Sequence, residues 1–306
     1  MDERIQTTLR IGGGVASAQR ILALGISRDM LARSVRVGEL VRIRRNCLVD
    51  GALWQEAQPS ERHALRARAV MAGLPRGHTI ALSHHSALAL HGVALFGVDQ
   101  RVHLTHLGSG RGRSDSVVVS HRPVPQSLVE ARGGIRMVTA AAACLQVAAQ
   151  FGAEAGLVAA DNALHTQLLT VDDLEQARRV LAPERWSRAP AEMCRLADAR
   201  MESPAESRAR WAFRSLNMRQ PTPQVEIRDS NGFIGRVDFL YEDLKVVIEV
   251  DGRIKYSGTN VVFAEKVRED RIRALGFQVV RLTWADLDDH ARVHHKVFDA
   301  VAKAVA

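Results

Sequence analysis

Residues 237–241 are Val-Asp-Phe-Leu-Tyr, and residues 245–252 are Lys-Val-Val-Ile-Glu-Val-Asp-Gly. Two short apolar runs separated by three residues are typical of a β-hairpin. If the loop is symmetric about its centre, the numbers of paired residues add to a constant, and Asp238 lies directly opposite Glu249. Their Cβ atoms would then be about 5 Å apart. The pattern therefore predicts that two carboxylates meet on one face of a sheet.

A third acid follows in the second run. Period-two alternation puts Asp251 on the same face as Glu249, so three acids converge at the end of a mostly buried sheet. Like charges this close repel, unless a divalent cation binds them or one group keeps a proton. Oxygen ligands without a nearby cysteine favour Mg²⁺ or Mn²⁺. The ordinary alternative is a set of solvated acids at a strand end.

The flanking sequence predicts two helices and a further strand. Residues 202–216 have a helical pattern that includes Glu206, and residues 261–275 form a second predicted helix that ends at Gly276. The apolar residues 277–282 then form a strand. Helix, hairpin, helix and strand together predict an α/β layer arrangement around one sheet.

This succession resembles the PD-(D/E)xK nuclease superfamily, and more closely its very-short-patch-repair-like branch, over about a hundred residues. The segments that carry the resemblance are Arg236-Val-Asp-Phe, Ile248-Glu-Val-Asp-Gly, Lys255-Tyr, Glu265-Lys-Val-Arg-Glu-Asp and Val280-Arg-Leu-Thr-Trp. The resemblance implies a restriction-endonuclease-like domain in which Asp238 and Glu249 hold a divalent ion. Asp251 or Glu206 would complete the ligand set through water.

One departure from the superfamily concerns its third motif residue, which is usually lysine. This chain has Asp251 at that position, so the cation that stabilises the transition state would be Lys255 or Lys266. An ion pair of Lys266 with Asp270 is the ordinary alternative. The predicted contacts to the DNA backbone are Arg268, Arg271 and Arg281.

The N-terminal region has a different pattern. Residues 16–49 predict a helix, a tight turn, a second helix and a short basic hairpin, and Ser27 is a natural N-cap for the second helix. Seven arginines lie between Arg20 and Arg45, against two acids. One surface of this region is therefore cationic enough to neutralise several phosphates.

The motifs of this region resemble the winged helix-turn-helix domain of AbiEi-type antitoxins of type IV toxin–antitoxin systems. They are Gly14-Val-Ala-Ser, Gly25-Ile-Ser-Arg and Gly38-Glu-Leu-Val-Arg-Ile-Arg-Arg. The resemblance implies operator binding, and a cognate toxin as a partner. The residues it places near the groove are Ser27, Arg28, Arg33 and Arg36, and those it places on the DNA backbone are Arg42, Arg44 and Arg45. A winged helix used for protein contacts is the alternative.

The middle of the chain, with Leu82-Ser-His-His-Ser-Ala and Leu90-His-Gly, is similar to the body that follows this winged helix in AbiEi-like proteins. No spacing among its histidines matches a zinc site, so helix-surface or strand positions explain them better than metal binding does. A serine–histidine hydrolase is disfavoured, because adjacent residues do not face each other on a helix and no nucleophile elbow is present. The clustered histidines are His84, His85, His91, His103, His106 and His121.

The composition sets the outer bounds. The net charge of +8 favours a polyanionic partner, and we expect double-stranded DNA. We expect a cytoplasmic protein, because no run approaches the roughly 18 apolar residues of a membrane span and no signal sequence is evident. Three widely separated cysteines predict neither a disulfide framework nor a cysteine zinc site.

The sequence predicts a mixed α/β (α+β) protein of three domains. These are a winged helix-turn-helix at residues 1–55, an α+β middle domain at residues 56–182 and the endonuclease-like domain at residues 200–306, after a proline-punctuated linker. The leading hypothesis is a DNA-binding, metal-dependent endonuclease. The alternative is a non-enzymatic transcriptional regulator of antitoxin type, with a degenerate nuclease domain.

Overall fold

The computed structural model describes residues 1–108, 112–181, 188–251 and 259–305. This described part contains fourteen α-helices and three β-sheets, so the prediction of a mixed α/β protein is confirmed. The chain divides into two compact units. The first comprises Met1–Ala159 and Leu168–Arg195, and the second comprises Ala160–Gln167 and Leu196–Ala306.

The first fifty residues of the first unit form helices packed on a small antiparallel sheet of order β1-β3-β2. Buried Ile5, Ile21, Leu31 and Leu48 form its core. The elements are α1 (Glu3–Ile11), β1 (Val15–Ser17), α2 (Ala18–Ala23), α3 (Arg28–Arg36), β2 (Leu40–Arg44) and β3 (Cys47–Asp50), followed by α4 (Gly51–Glu56) and α5 (Pro59–Ala72).

The predicted first helix begins two residues too early. Ala16 lies on β1 and pairs with Leu48, because the three residues of β1 form an antiparallel pair with β3 and satisfy its backbone hydrogen-bonding groups on that side. Ser17 then caps α2 by accepting a hydrogen bond from the backbone N–H of Arg20 at 3.2 Å. The second helix and the hairpin that follows it are as predicted, and the hairpin turns at Arg45 and Asn46.

The rest of the first unit is built on a five-stranded mixed sheet of order β6-β5-β4-β8-β7. Its elements are β4 (Ile80–Leu82), α6 (His84–His91), β5 (Val102–His106), β6 (Val118–His121), β7 (Val129–Arg132), β8 (Ile135–Val138), α7 (Ala140–Phe151), α8 (Ala153–His165) and α9 (Val171–Leu181). The unit boundary crosses α8. Gly92 ends α6 in the left-handed conformation (φ +80°) that glycine adopts without steric cost.

The predicted linker between the middle and C-terminal regions contains a helix, α10 (Arg188–Leu196). Pro190 lies in its first turn, where the missing N–H has no partner to lose. Proline therefore marked a helix start rather than an irregular connection. Residues 182–187 of the same stretch lie outside the described residues.

The second unit contains the predicted helix, hairpin, helix and strand, together with strand β9 before the hairpin and two helices after the last strand, around a sheet of order β12-β11-β10-β9. Only the β11 and β12 pair is parallel. One face packs Phe213, Phe239 and Ile248, and the other packs Val247 and Ile272. The elements are α11 (Pro204–Ser215), β9 (Thr222–Asp229), β10 (Gly232–Tyr241), β11 (Val246–Val250), α12 (Thr259–Ala274), β12 (Gln278–Leu282), α13 (Trp284–Leu287) and α14 (His290–Val305).

None of the described helices combines the length and the apolarity that crossing a bilayer requires.

Candidate functional site

The hairpin of β10 and β11 has the predicted register. Phe239 pairs with Ile248 and Leu240 with Val247, so paired numbers add to the same constant that relates Asp238 to Glu249. The Asp238 side chain caps the end of this ladder, since its Oδ2 accepts a hydrogen bond from the backbone N–H of Val250 at 2.7 Å. The two acids singled out from the sequence therefore lie at the same end of the hairpin.

Asp238 lies in an environment that disfavours its charge. Burial is the main cause that raises the pKa of its carboxyl to about 7. The nearby carboxylates of Glu249 and Glu206 act in the same direction, and the hydrogen bond from Val250 opposes them. Glu206 is buried in the first turn of α11 and accepts a hydrogen bond from Gln224 Nε2 at 2.8 Å. Both Glu249 and Glu206 thus act on the ionisation of Asp238.

Glu249 has a cationic partner within the protein. Its Oε1 accepts a hydrogen bond from Arg268 Nη2 at 2.8 Å, with both side chains mostly buried. Burial raises the pKa of Glu249, and Arg268 opposes that rise. Arg268 also donates to the carbonyl of Arg236 at 2.8 Å. A Cβ at Gly235 would collide with the Arg268 side chain, so the glycine makes room for the guanidinium.

Asp251 contacts a different cation. Its Oδ1 lies 3.9 Å from Arg281 Nη1, and Arg281 is held by Glu265 and Glu269 at 2.9 Å each. Asp251 is therefore next to a network of charged side chains on α12 and β12, and its place in a shared ligand set with the two hairpin acids stays a prediction. Arg271 is likewise paired, with Asp229 at 2.8 Å. The three arginines predicted to contact DNA here all have internal partners.

Of the two predicted lysines, Lys266 lies on α12 and is exposed, and Lys255 lies outside the described residues. The potential metal ligands at this end of the sheet are carboxylate oxygens, which Mg²⁺ and Mn²⁺ prefer. A bound cation would also offset the cost of ionising Asp238 and Glu249, so the chemistry of these two acids fits either ion. Over the residues that can be described, however, only histidines bring three ligand atoms within 4.8 Å of one another.

The N-terminal region carries the second set of predicted residues. Arg28 at the start of α3 and three arginines of the β2–β3 hairpin line one groove of about 780 Å³. All four side chains belong to exposed residues. Asn46 fixes the hairpin tip, because its Oδ1 accepts from the N–H of Gln19 at 2.9 Å and its Nδ2 donates to the carbonyl of Gly73 at 2.8 Å. The hairpin arginines are Arg42, Arg44 and Arg45.

The remaining predicted groove residues lie on α3. Arg33 and Arg36 are exposed and do not line the groove. Ser27 caps α3 by accepting a hydrogen bond from the N–H of Met30 at 3.1 Å. One hairpin arginine has a counter-charge, since Arg44 Nη2 lies 3.1 Å from Asp115 Oδ2, but both partners are solvent-exposed and such pairs are weak.

Sequence reasoning missed two residues of the acidic site. Gln224 on β9, which donates to Glu206, has no distinguishing pattern, because β9 itself was not predicted. Arg268 was assigned to DNA rather than to Glu249. Arg268 lies in the predicted helix that packs on the sheet, and Gly235 in the facing strand leaves space for its side chain. These two features could have indicated an internal role for Arg268.

No family model matches the chain. Two uncharacterized proteins of Mycobacterium tuberculosis, MT2308 of strain CDC 1551 / Oshkosh and Rv2248 of strain ATCC 25618 / H37Rv, are each 27% identical to it over 264 residues, which is 86% of this chain and 92% of theirs. A crystal structure of the RV2827C protein from Mycobacterium tuberculosis superposes with a TM-score of 0.38 and 17% identity, over 74% of this chain and 87% of that one.

Proposed function

We propose that this chain binds double-stranded DNA through its first fifty residues, which act as a winged helix-turn-helix. The observation that carries the proposal is the shared groove of Arg28, Arg42, Arg44 and Arg45. Four guanidinium groups converge on one exposed surface, and only Arg44 has an ion-pair partner there, within the described part of the chain. Exposed cations without counter-charges are what a phosphate backbone neutralises.

Helix α3 and the β2–β3 hairpin would make different kinds of contact with DNA. Helix α3 would enter the major groove, with Ser27, Arg28, Arg33 and Arg36 near the base edges. The hairpin would follow the phosphate backbone, because Arg42, Arg44 and Arg45 surround a tip that Asn46 holds in place. Contacts of the second kind supply affinity and those of the first kind supply sequence preference.

The test is a titration of labelled duplex DNA at several salt concentrations. Loss of one phosphate contact lowers the slope of log K against log salt by about 0.9, so we expect Arg42→Ala to bind less tightly and with a shallower slope than the wild type. Arg132→Ala, which removes an exposed arginine of β7, is the matched control and should bind as the wild type does. Equal effects of the two substitutions would mean that binding is not located at the hairpin.

A second candidate function is hydrolysis of DNA by the second unit as a PD-(D/E)xK-type endonuclease. It is favoured by the position of Asp238 and Glu249 at one end of the hairpin, beside buried Glu206. Asp238 and Glu249 would hold Mg²⁺ or Mn²⁺, which would supply an activated water molecule. Exposed Lys266 would then lie on the helix nearest to the substrate phosphate, in the role predicted for it.

The alternative, a regulator of antitoxin type without catalytic activity, is favoured by a different observation. Arg268 already neutralises Glu249, and Arg281 lies beside Asp251, which stands where the superfamily has lysine. Side chains of the protein thus balance the charge of these acids as a metal ion would. A unit of this kind would keep the nuclease architecture while serving DNA or toxin binding.

A plasmid-nicking assay in Mg²⁺ or Mn²⁺ distinguishes the endonuclease from the regulator without catalytic activity. If the unit is an endonuclease, Asp238→Asn should abolish nicking, because it removes a ligand charge while keeping the hydrogen bond to Val250. Asp243→Asn changes an exposed acid of the same hairpin and should nick at the wild-type rate. A wild-type protein that binds DNA but never nicks it would support the regulator.

A further inference from the structure

Three histidines that are far apart in sequence meet in the first unit. His84 is the first residue of α6, His103 lies in β5 and His121 ends β6. His84 and His103 are buried, and His121 is half-buried. The parallel pairing of β5 and β6, in which Thr105 is the partner of His121, brings the two strand histidines together. None of the three has a role in the proposed DNA contacts.

Their ring nitrogens are close enough to share one ion. His103 Nδ1 lies 2.8 Å from His121 Nε2, and one nitrogen from each of the three rings lies within 4.8 Å of the others. The ring centroids of His84 and His121 are 3.9 Å apart, and those of His103 and His121 are 5.1 Å apart. Zinc–imidazole bonds of about 2.0–2.1 Å in a tetrahedral site separate nitrogens by about 3.3 Å. The rings of His84 and His121 are stacked with an angle of 26° between their planes, so their side chains must rotate for the lone pairs to point to one ion.

Hydrogen bonding among the rings leaves one buried nitrogen unsatisfied. His103 Nε2 is buried and has no hydrogen-bond partner, although Asp99 Oδ2 lies 3.8 Å away. In either neutral tautomer of His103, one ring nitrogen faces His121 and the other faces nothing at bonding distance. A metal ion at Nδ1 would fix the proton on Nε2, where it points to an ionised carboxylate, and metal-bound histidines commonly have such a partner.

The backbone and the side chain of His84 are held in place by neighbouring groups. Its φ of +50° is uncommon for a residue other than glycine, and its N–H donates to the Oε1 of buried Gln146 at 3.1 Å. The side chain has an outer partner as well, since Nδ1 lies 3.1 Å from Ser83 Oγ. The surroundings therefore hold this imidazole against the other two at some conformational cost.

We infer that His84, His103 and His121 bind one divalent transition-metal ion of the zinc class, with Asp99 as the outer partner of His103. The ion would join α6, β5 and β6, and solvent would supply the fourth ligand on the side of half-buried His121. Imidazole ligands exclude Mg²⁺, which prefers oxygen, so this site is distinct from the acids of the second unit. The ordinary alternative is a stack of three histidines that hydrogen-bond to one another.

The experiment uses the untagged, full-length protein after treatment with a chelator. We expect it to bind one equivalent of Zn²⁺ in a competition titration with a chromophoric chelator, and to give the intense visible absorption of four-coordinate Co²⁺ when Co²⁺ is added instead. His121→Gln, at the most accessible ligand, should weaken zinc binding by at least about 100-fold, and Asp99→Asn by about 10-fold, as for outer partners of other zinc ligands.

The matched control is His106→Gln, which changes a half-buried histidine at the end of β5 whose Nε2 contacts Ser120 Oγ at 3.1 Å. It should bind zinc as the wild type does. X-ray absorption at the zinc edge of the wild type should show imidazole scattering, and this measurement decides the matter if His121→Gln does not fold. An oxygen-only shell, or equal zinc affinity of His121→Gln and His106→Gln, would overturn the inference.

Discussion

The arginines of the N-terminal region and those of the second unit differ in what surrounds them. Arg28, Arg42 and Arg45 are exposed and have no ion-pair partner in the described part of the chain. Arg268 and Arg281, by contrast, each contact two or more acids of the protein. Both regions are rich in arginine in the sequence. The difference teaches that the position of the acids, more than the number of arginines, decides which surface is available to a polyanion.

Burial determines how much each of these charges affects the stability of the protein. A pair of exposed charges contributes little to stability, whereas a buried acid that loses its only cation keeps the full cost of its desolvation. The side chain of Glu249 is 14% exposed and that of Arg268 is 21% exposed. Substitution of the N-terminal arginines should therefore change DNA affinity alone, and substitution of Arg268 should change stability.

The largest expected effect is that of Arg268→Ala. It leaves Glu249 buried without its cation, so we expect the free energy of unfolding to fall by about 2–3 kcal/mol in urea titrations followed by tryptophan fluorescence. Arg273→Ala is the matched control on α12, because Arg273 pairs with Glu269 on the exposed side and should cost less than about 1 kcal/mol. Arg42→Ala should stay within about 0.5 kcal/mol of the wild type. Equal losses for Arg268→Ala and Arg42→Ala would erase the distinction between the two regions.

A smaller effect is expected at another buried acid of the second unit. Burial raises the pKa of Asp161 to about 7, against the opposing charge of Arg210, whose Nη1 lies 3.6 Å from Asp161 Oδ2. The folded state thus keeps a proton that the unfolded state releases near pH 4. The resulting stability is fully present below about pH 4 and is lost as the pH rises through 7.

Asp161→Asn removes this ionisation while keeping the acceptor for the N–H of Asp198. A rise of about three pKa units corresponds to about 4 kcal/mol at pH 8, and the loss of a partner for the Arg210 charge offsets part of it. We therefore expect the variant to exceed the wild type in unfolding free energy by about 2 kcal/mol at pH 8, and to match it near pH 4. Exposed Asp270→Asn should show no such pH-dependent difference. A variant less stable than the wild type at pH 8 would mean that Asp161 is ionised and stabilised by Arg210.

Local patterns predicted much of the fold. The hairpin register of Asp238 and Glu249 followed from two apolar runs and a short loop, because strand pairing across a tight turn is a local constraint. The cap at Ser27 is equally local. Strand β1 and helix α10 were missed, since one depends on pairing with a distant strand and the other on a proline whose position in the helix decides its effect.

The candidate sites were harder to predict for the same reason. His84, His103 and His121 have no metal-binding spacing, and they converge only because β5 and β6 pair in parallel and α6 packs beside them. Likewise, the position of α12 on the sheet determines whether Arg268 pairs with Glu249 or is available to contact DNA. Long-range packing determines such contacts, and a single sequence carries no periodicity that reports it.

The smallest expected effect tests Ser27, which was predicted to contact DNA and which caps α3 in the structure. Ser27→Ala removes the acceptor for the N–H of Met30 and should lower the unfolding free energy by about 1 kcal/mol. Ser27→Asp keeps a capping acceptor and favours the helix N-terminus, so it should restore stability, but its negative charge lies beside Arg28 and should weaken DNA binding. If Ser27→Asp binds DNA as tightly as the wild type, α3 does not approach the phosphates with this end, and the hairpin alone carries the interaction.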